Sequence, residues 1–344
     1  MINRFPFLIA EISANHSGSL NKAKKLIKEA KETGADAVKL QTFDANMMTI
    51  NSSNKDFLIK NGIWKGYKLW DLYKKAQTPL EWHYELFKFA KKLKIKIFSS
   101  PFSEKSVDFL ESLNCPAYKI ASFEMCDISL IKYIANKKKP LIISTGTHSI
   151  HDILVVNRYI KKFKIKDYSF LYCVSTYPCE KKDFNLNNIK ILEQKLNCKI
   201  GLSDHSKGPE IARAAIFAGA VIIEKHLNLN NNISSLDAKF SSNKKDFVEL
   251  RREIDEAYRL LGKKYYYLSN REKRNKIFRR SIYSIDQIKK NQKFTDKNIK
   301  RVRPGKGLNV WYYQKLIGLK SPFDIKKNKP LPLKLTKTLK LDKK

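Results

Sequence analysis

The stretch Gly201-Leu202-Ser203-Asp204-His205-Ser206 decides how the chain is read, together with Ile223-Glu224-Lys225-His226 about twenty residues on. Each places a histidine at the end of a short apolar run that reads as a strand. Between them, Lys207 to Gly219 has the pattern of a helix. A strand, a helix and a parallel strand bring both strand ends to one edge of a sheet. Two imidazoles on such an edge can pair on a divalent metal, or each can be a hydrogen-bonded structural residue. Spacing alone leaves both open.

Working outward, the same unit recurs from the N-terminus to about residue 262. The strand-like runs are Phe7–Ser13, Asp36–Thr42, Ile95–Ser100, Ala117–Ser122, Pro140–Thr145, Tyr168–Val174, Lys199–Ser203 and Val221–Leu227. Most are continuously apolar, as in a parallel sheet covered on both faces. Helical patterns include Ser19–Thr33, Pro79–Leu93, Glu104–Leu113, Ile128–Asn136, Ile150–Phe163 and Lys244–Leu261. Gly34, Gly219 and Gly262 stand where helix C-caps belong. Eight such units predict an α/β protein with a closed (β/α)8 TIM barrel over 1–262. Residues 263–279 read as a basic linker, 280–333 as a small mostly-β domain, and 334–344 as a Lys-rich, unstructured tail.

Thr42 to Thr78 is too long for an ordinary strand-to-helix loop. It carries Trp64, Tyr67, Trp70 and Tyr73, which either hold the insertion on the barrel or face a substrate. No apolar run approaches the roughly 18 residues that span a bilayer. The first residues make a poor signal peptide. Five cysteines without CxxC spacing read as free thiols of a reducing cytoplasm. The net charge is +36, and from Lys263 onward 26 Lys+Arg face only 5 Asp+Glu. That excess suits solvated helix faces; a nucleic-acid or anionic-membrane partner is the alternative, without a recognisable nucleic-acid motif to support it.

Barrel chemistry sits at the carboxyl ends of the strands, and these ends are polar. Glu11 ends the first; Lys39 and Gln41, two apart, share a face of the second. Ser100, Lys119, Ser122, Ser144, Ser175 and Tyr177 follow, then Ser203 with His205 and Glu224 with His226. A buried ammonium is costly to leave unpaired. Lys39 and Lys119, among so many hydroxyls, predict a phosphate or carboxylate site; the alternative is local pairing with Glu11 or Glu224. His16 either adds a metal ligand or fixes the first strand's turn, and the turn is the expectation. His83, His148 and His151 read as structural.

At these residues the chain resembles the sialic acid synthase family. The matching motifs are Ile9 to His16 (IAEISANH), Val38 to Thr42 (VKLQT), Ser99 to Phe102 (SSPF), Tyr118 to Ser122 (YKIAS), Ser144 to Gly146 (STG), Gly201 to His205 (GLSDH) and Glu224 to His226 (EKH), in the family's order. Arg303 to Leu308 (RPGKGL) resembles the antifreeze-like (SAF) domain of those enzymes. Gly62 to Gly66, Leu69 to Ala76 (LWDLYKKA) and Thr78 to Trp82 resemble the members acting on a 2,4-diacetamido-2,4,6-trideoxy hexose of the altrose type. Members acting on N-acetylmannosamine or a differently configured diacetamido sugar are the alternative.

The resemblance implies condensation of phosphoenolpyruvate with an open-chain amino-sugar aldehyde. Lys39, Ser100, Lys119, Ser122, Ser144, Ser175 and Ser203 would hold phosphoenolpyruvate. His205 and His226 would bind Mn2+ or Mg2+. Glu11 would contact the sugar and assist proton transfer; Gln41, Tyr177 and Asp237 would face sugar or metal. Arg303 would reach over the site in a domain-swapped homodimer. Two departures stand out. Ser99-Ser100 replaces the usual Ser-Thr, and the loop Asn230 to Leu236 lacks the glycines that usually precede the Asp at position 237.

Overall fold

A computed structural model describes residues 2, 5–177, 179–229, 235–263 and 265–342. The chain divides into two compact units, Met1–Gly262 and Lys263–Lys344. In the first, the order is β1 (Phe7–Glu11), α1 (Leu20–Glu32), β2 (Ala37–Thr42), α2 (Ala45–Met48), α3 (Leu69–Ala76), α4 (Leu80–Lys92), β3 (Lys96–Pro101), α5 (Glu104–Ser112), β4 (Tyr118–Ile120) and α6 (Ile128–Ala135). It continues β5 (Leu141–Ser144), α7 (Ile150–Lys162), β6 (Tyr168–Cys173), α8 (Asn187–Leu196), β7 (Lys199–Asp204), α9 (Glu210–Phe217), β8 (Ile222–His226) and α10 (Lys244–Leu261).

The eight strands pair in sequence order, all parallel, and β8 closes on β1. Every predicted strand is present, and the expected TIM barrel is the observed fold. The reason is visible in burial. All residues of β1, β4, β5 and β8 are buried, because the barrel interior covers one face and the helices the other. Helices present one apolar stripe inward; α1 buries Ala23, Leu26, Ile27 and Ala30 at helical spacing. Gly201 is required where β7 runs between its neighbours. A Cβ there would lie 2.5 Å from both the Ile222 carbonyl and the Leu171 side chain.

Helix α8 was not anticipated from the sequence. The long insertion after β2 is no bare loop either; it holds α2 and α3. Among the described residues no helix is long and apolar enough to cross a membrane.

The second unit holds a two-stranded antiparallel sheet, β9 (Ser281–Ser284) with β10 (Ile299–Val302), and α11 (Asn270–Arg274), α12 (Tyr313–Leu316) and α13 (Leu335–Thr338). Its own core gathers Ile282, Ile288, Phe294, Ile299, Leu308 and Leu316. The expectation of an unstructured tail after 333 is corrected here. Leu335 and Leu341 are buried in that core, while Lys334, Lys337 and Lys340 stay in solvent.

Candidate active site

The strand register places the polar ends side by side. Glu11 stands opposite Lys39 on one side and His226 on the other, and Ser203 stands opposite Glu224. Alternation along each strand then turns Glu224 and His226 to one face and Lys225 to the other. The charged groups form one buried network. Lys39 Nζ lies 2.5 Å from Glu11 Oε2 and 3.3 Å from Glu224 Oε1. Lys119 Nζ donates to the Ser144 hydroxyl at 2.6 Å and to the Ile120 carbonyl at 3.0 Å, and stands 4.0 Å from Glu224 Oε1. Ser203 donates to the same Glu224 oxygen at 3.2 Å, and Lys39 reaches Ser100 at 3.4 Å. Lys39 thus has the local carboxylate partners that the sequence left as an alternative.

Burial and charge set the protonation pattern. Burial raises the Glu11 carboxyl to about 7, with Lys39 opposing and Glu224 adding to the rise. Glu224 is also disfavoured as an anion by burial, yet Lys119 and Lys39 together hold it below its ordinary range. Burial lowers the Lys119 ammonium to about 8, against the pull of Glu224. Of two neighbouring carboxyls, the two lysines favour the anion at Glu224, and burial favours the proton at Glu11.

The Ser122 hydroxyl accepts from the Gly146 N–H at 3.2 Å. A Cβ on Gly146 would meet the Ser175 oxygen at 2.0 Å and the Ser122 oxygen at 2.8 Å. Only glycine lets these two hydroxyls close over the end of β5. Both also line a cavity of about 450 Å³ that includes Gln41, Tyr177, His226 and Asp237.

The two imidazoles lie with ring centroids 5.4 Å apart. Phe240 packs against both, at 5.8 and 4.9 Å, and Tyr177 covers His205 at 4.7 Å. His205 Nδ1 is 3.4 Å from the Val174 carbonyl. His226 Nδ1 is buried without a hydrogen-bond partner among the described residues, 3.7 Å from Asp237 Oδ2. Burial, then the neighbouring His205, keeps His226 neutral by pushing it well below the usual imidazole range. Among the described residues no three His, Cys, Asp or Glu side chains form a ready cage. Two imidazoles, one neutral with an orphaned nitrogen beside a carboxylate, nevertheless fit an open divalent-cation site.

Asp237 also accepts from the Ala14 N–H at 3.3 Å, which ties it to the turn after β1. The expected effect of the missing glycines falls on residues 230–234, outside the described residues. His16 sits in the first strand's turn: its Nδ1 accepts from Gly18 N at 3.2 Å and its Nε2 meets the Thr78 hydroxyl at 3.2 Å. His83 bonds Thr42 at 2.9 Å behind β2. Arg303 belongs to the second unit, just after β10.

The insertion's aromatics divide between the two readings. Trp64 and Tyr73 line the cavity, and Trp64 packs on Tyr177 at 5.5 Å. Trp70 donates to Asn46 at 3.0 Å and Tyr67 accepts from Lys75 at 3.1 Å, both within the insertion.

Sequence reasoning missed two groups. Glu124 lies on a single 3-10 turn after β4 and lines the cavity, with Oε2 buried and unbonded among the described residues. Burial raises it to about 7. The signal was a carboxylate two residues beyond Ser122. Cys173, at the end of β6, lies 3.9 Å from His205 Nδ1. Burial alone would raise its thiol, but His205 draws it down to about 7.

The sequence model of the NeuB family matches residues 26–266. The chain is 43% identical over 320 residues to a pseudaminic acid synthase of Campylobacter jejuni, covering 93% of each. It is 42% identical to the pseudaminic acid synthase of Helicobacter pylori, covering 95% of this chain and 96% of that one. Among solved structures, an N-acetylneuraminic acid synthetase of Leptospira borgpetersenii in complex with citrate superposes with a TM-score of 0.72 at 31% identity. That match covers 79% of this chain and 90% of the other.

Proposed function

The chain belongs to the NeuB family, and on that premise we propose that it is a pseudaminic acid synthase. It condenses phosphoenolpyruvate with 2,4-diacetamido-2,4,6-trideoxy-L-altrose and water, giving pseudaminic acid and phosphate. The observation that carries this reading is the juxtaposition at one barrel mouth of two buried ammonium groups, a row of hydroxyls and two imidazoles. An anionic enol ester needs the first two, and an aldehyde beside it needs an electrophilic centre.

Lys39 and Lys119, with Ser100, Ser122, Ser144, Ser175 and Ser203, bind the phosphate and carboxylate of phosphoenolpyruvate. His205 and His226 would hold a divalent cation, Mn2+ or Mg2+, which when bound would supply Lewis-acid polarisation of the aldehyde. Gln41, Tyr177 and Asp237 orient the sugar. A bond forms between carbon 3 of phosphoenolpyruvate and the aldehyde carbon. The electron pair comes from the enol double bond, leaving a cation at carbon 2. Water adds there and loses one proton; the carbon–oxygen bond to phosphate then breaks as the new hydroxyl becomes the ketone, its proton leaving with the phosphate. Glu124, poised near 7 in the cavity, suits the acceptor of the first proton, and Glu11 suits the group that returns one to the new alkoxide.

The antifreeze-like unit is assigned a lid role: the partner subunit's Arg303 contacts the acyl-sugar in a domain-swapped homodimer. A cytoplasmic setting follows from the phosphoenolpyruvate requirement.

The assay is phosphate release by the purified chain with phosphoenolpyruvate and one aldehyde at a time. Turnover with the altrose-type diacetamido sugar is expected. Turnover with N-acetylmannosamine alone, or with the legionaminate precursor alone, would overturn the choice within the family.

A further inference from the structure

The cavity lining has two origins. Strand ends supply the polar part, with Gln41, Ser122, Ser175 and His226. An apolar wall comes from Phe43, Met48, Ile59, Leu72 and Tyr73 of the insertion after β2, with Phe102 just after β3. Apart from the Tyr73 hydroxyl, these side chains bear no hydrogen-bonding oxygen or nitrogen.

The wall is held by its own packing. Phe43 meets Tyr73 and Phe102 edge-on at 6.0 and 5.2 Å. The Ile59 N–H donates to the Tyr67 carbonyl and the Gly66 N–H to the Ile59 carbonyl, each at 2.9 Å. Gln77 accepts from the Ala45 N–H at 3.2 Å, tying α2 to the residue after α3. A wall fixed this way cannot easily turn a polar group toward a new ligand hydroxyl. A hydroxyl pressed against Phe43, Met48, Ile59, Leu72 or Phe102 loses water and gains no partner from those side chains, whereas a methyl group gains by leaving water.

We propose that this insertion-built wall is the specificity element of the site: it seats the terminal methyl of a 6-deoxy acetamido-sugar aldehyde and disfavours a sugar with a hydroxyl on that carbon. The inference rests on the reaction assigned above. That assignment fixes the aldehyde carbon at the imidazole end, so the far carbon of the open chain points away from it. Met48 and Ile59 are the informative positions, because both are half-buried and neither belongs to the barrel core.

The test compares 2,4-diacetamido-2,4,6-trideoxy-L-altrose with the same sugar bearing a hydroxyl at carbon 6, by kcat/KM for phosphate release. The wild-type chain is expected to favour the deoxy sugar by about 10- to 100-fold, the range open to an apolar pocket judging an added hydroxyl. Met48→Gln keeps nearly the original size while adding a hydrogen-bonding group, and Ile59→Thr adds one with the loss of a terminal carbon. Each is expected to lower that ratio several-fold while the KM for phosphoenolpyruvate stays put, which shows the polar part undisturbed. A wild-type chain that treats the two sugars alike refutes the proposal. So do two variants that both retain the wild-type ratio. Failure of the wild type with the deoxy sugar, alongside turnover of N-acetylmannosamine, would instead remove the reaction assignment and the proposal with it.

Discussion

Replacing Lys225 by Met tests how the histidine pair is held. Lys225 lies between Glu224 and His226 but faces away from them, where Nζ is 2.7 Å from Asp204 Oδ2 and 2.5 Å from the Ser206 carbonyl. The other Asp204 oxygen accepts from the Ser206 N–H at 2.9 Å and from its hydroxyl at 2.6 Å. His205 is the residue enclosed by this clamp, and Lys225, opposite Asp204 on β8, supplies the ammonium. Lys225 is 1% and Asp204 0% exposed, so no water replaces a lost partner. Lys225→Met keeps the side-chain length and leaves a buried, unpaired carboxylate, at a cost of about 3–5 kcal/mol. Set against a typical total of about 5–15 kcal/mol, that is a large share. At about 2–4 °C per kcal/mol for a unit of this size, the melting temperature falls by roughly 6–20 °C. Thermal denaturation followed by circular dichroism measures it. The double variant Lys225→Met with Asp204→Leu removes both charges and is expected to recover most of the loss. A single variant within about 1 kcal/mol of wild type, or a double variant no better than the single, would refute the clamp argument.

His205→Ala is expected to abolish turnover and its dependence on divalent cation with an unchanged circular dichroism spectrum; full activity in that variant removes the metal from the mechanism. Lys119→Met should raise the KM for phosphoenolpyruvate at least tenfold, read from initial rates, because it deletes one of two buried ammonium groups; an unchanged KM sends the anion elsewhere. Glu124→Gln should remove the limb of the kcat profile near pH 7 and lower kcat by about 10²–10⁴-fold. The same change has a stability signature. A carboxyl raised from 4.5 to about 7 on folding contributes stability below pH 4.5 that is lost as pH rises through 7, so the Gln variant's unfolding free energy should fall less over that window. Deleting residues 263–344 should leave a folded barrel with almost no turnover, seen by parallel melting and phosphate-release measurements; an active truncated barrel ends the role given to Arg303.

The barrel was legible because each strand is an apolar run bounded by turn residues, and a strand buried on both faces needs no subtler signal. Helix α8 was harder. It buries Ile189, Leu192 and Leu196 at helical spacing, but no side chain caps its start and a Lys-Lys-Asp-Phe run precedes it. Without a start signal, four apolar positions in ten residues, one of them the exposed Ile191, do not separate a helix from a loop. The packed segment after 333 failed for a related reason. Composition registers its lysines, whereas burial depends on Leu335 and Leu341, two side chains whose partners lie far back in the sequence. Strand-borne site residues were legible from alternation, which fixes the face of Lys39 and Gln41, or of Glu224 and His226, once the strand is known. Glu124 sits on a 3-10 turn, and the apolar wall on an irregular insertion. No period sets the direction of Glu124, Phe43 or Ile59, and the short helices bearing Met48, Leu72 and Tyr73 carry too few turns to announce their faces, so their part in the cavity emerges only in three dimensions.

On the proposed reaction, the two sequence-level readings of the buried lysines are successive states of one site. An ammonium as buried as Lys39 cannot stand without a partner, so a site built to receive an anion must supply one meanwhile. Glu11 and Glu224 do so, at 2.5 and 3.3 Å. The stand-ins must also yield. Glu11 is suited to that, since burial already brings its proton affinity near neutrality and the carboxyl can become uncharged as an anion enters. Glu224 is held down by both lysines and bonded by Ser203, one residue from Asp204 and two from His205. Glu224 thus joins both lysines to the strand end bearing the first imidazole. The Ser203 to His205 stretch links the two halves of the proposed chemistry because of that contact as well as its place in the sequence.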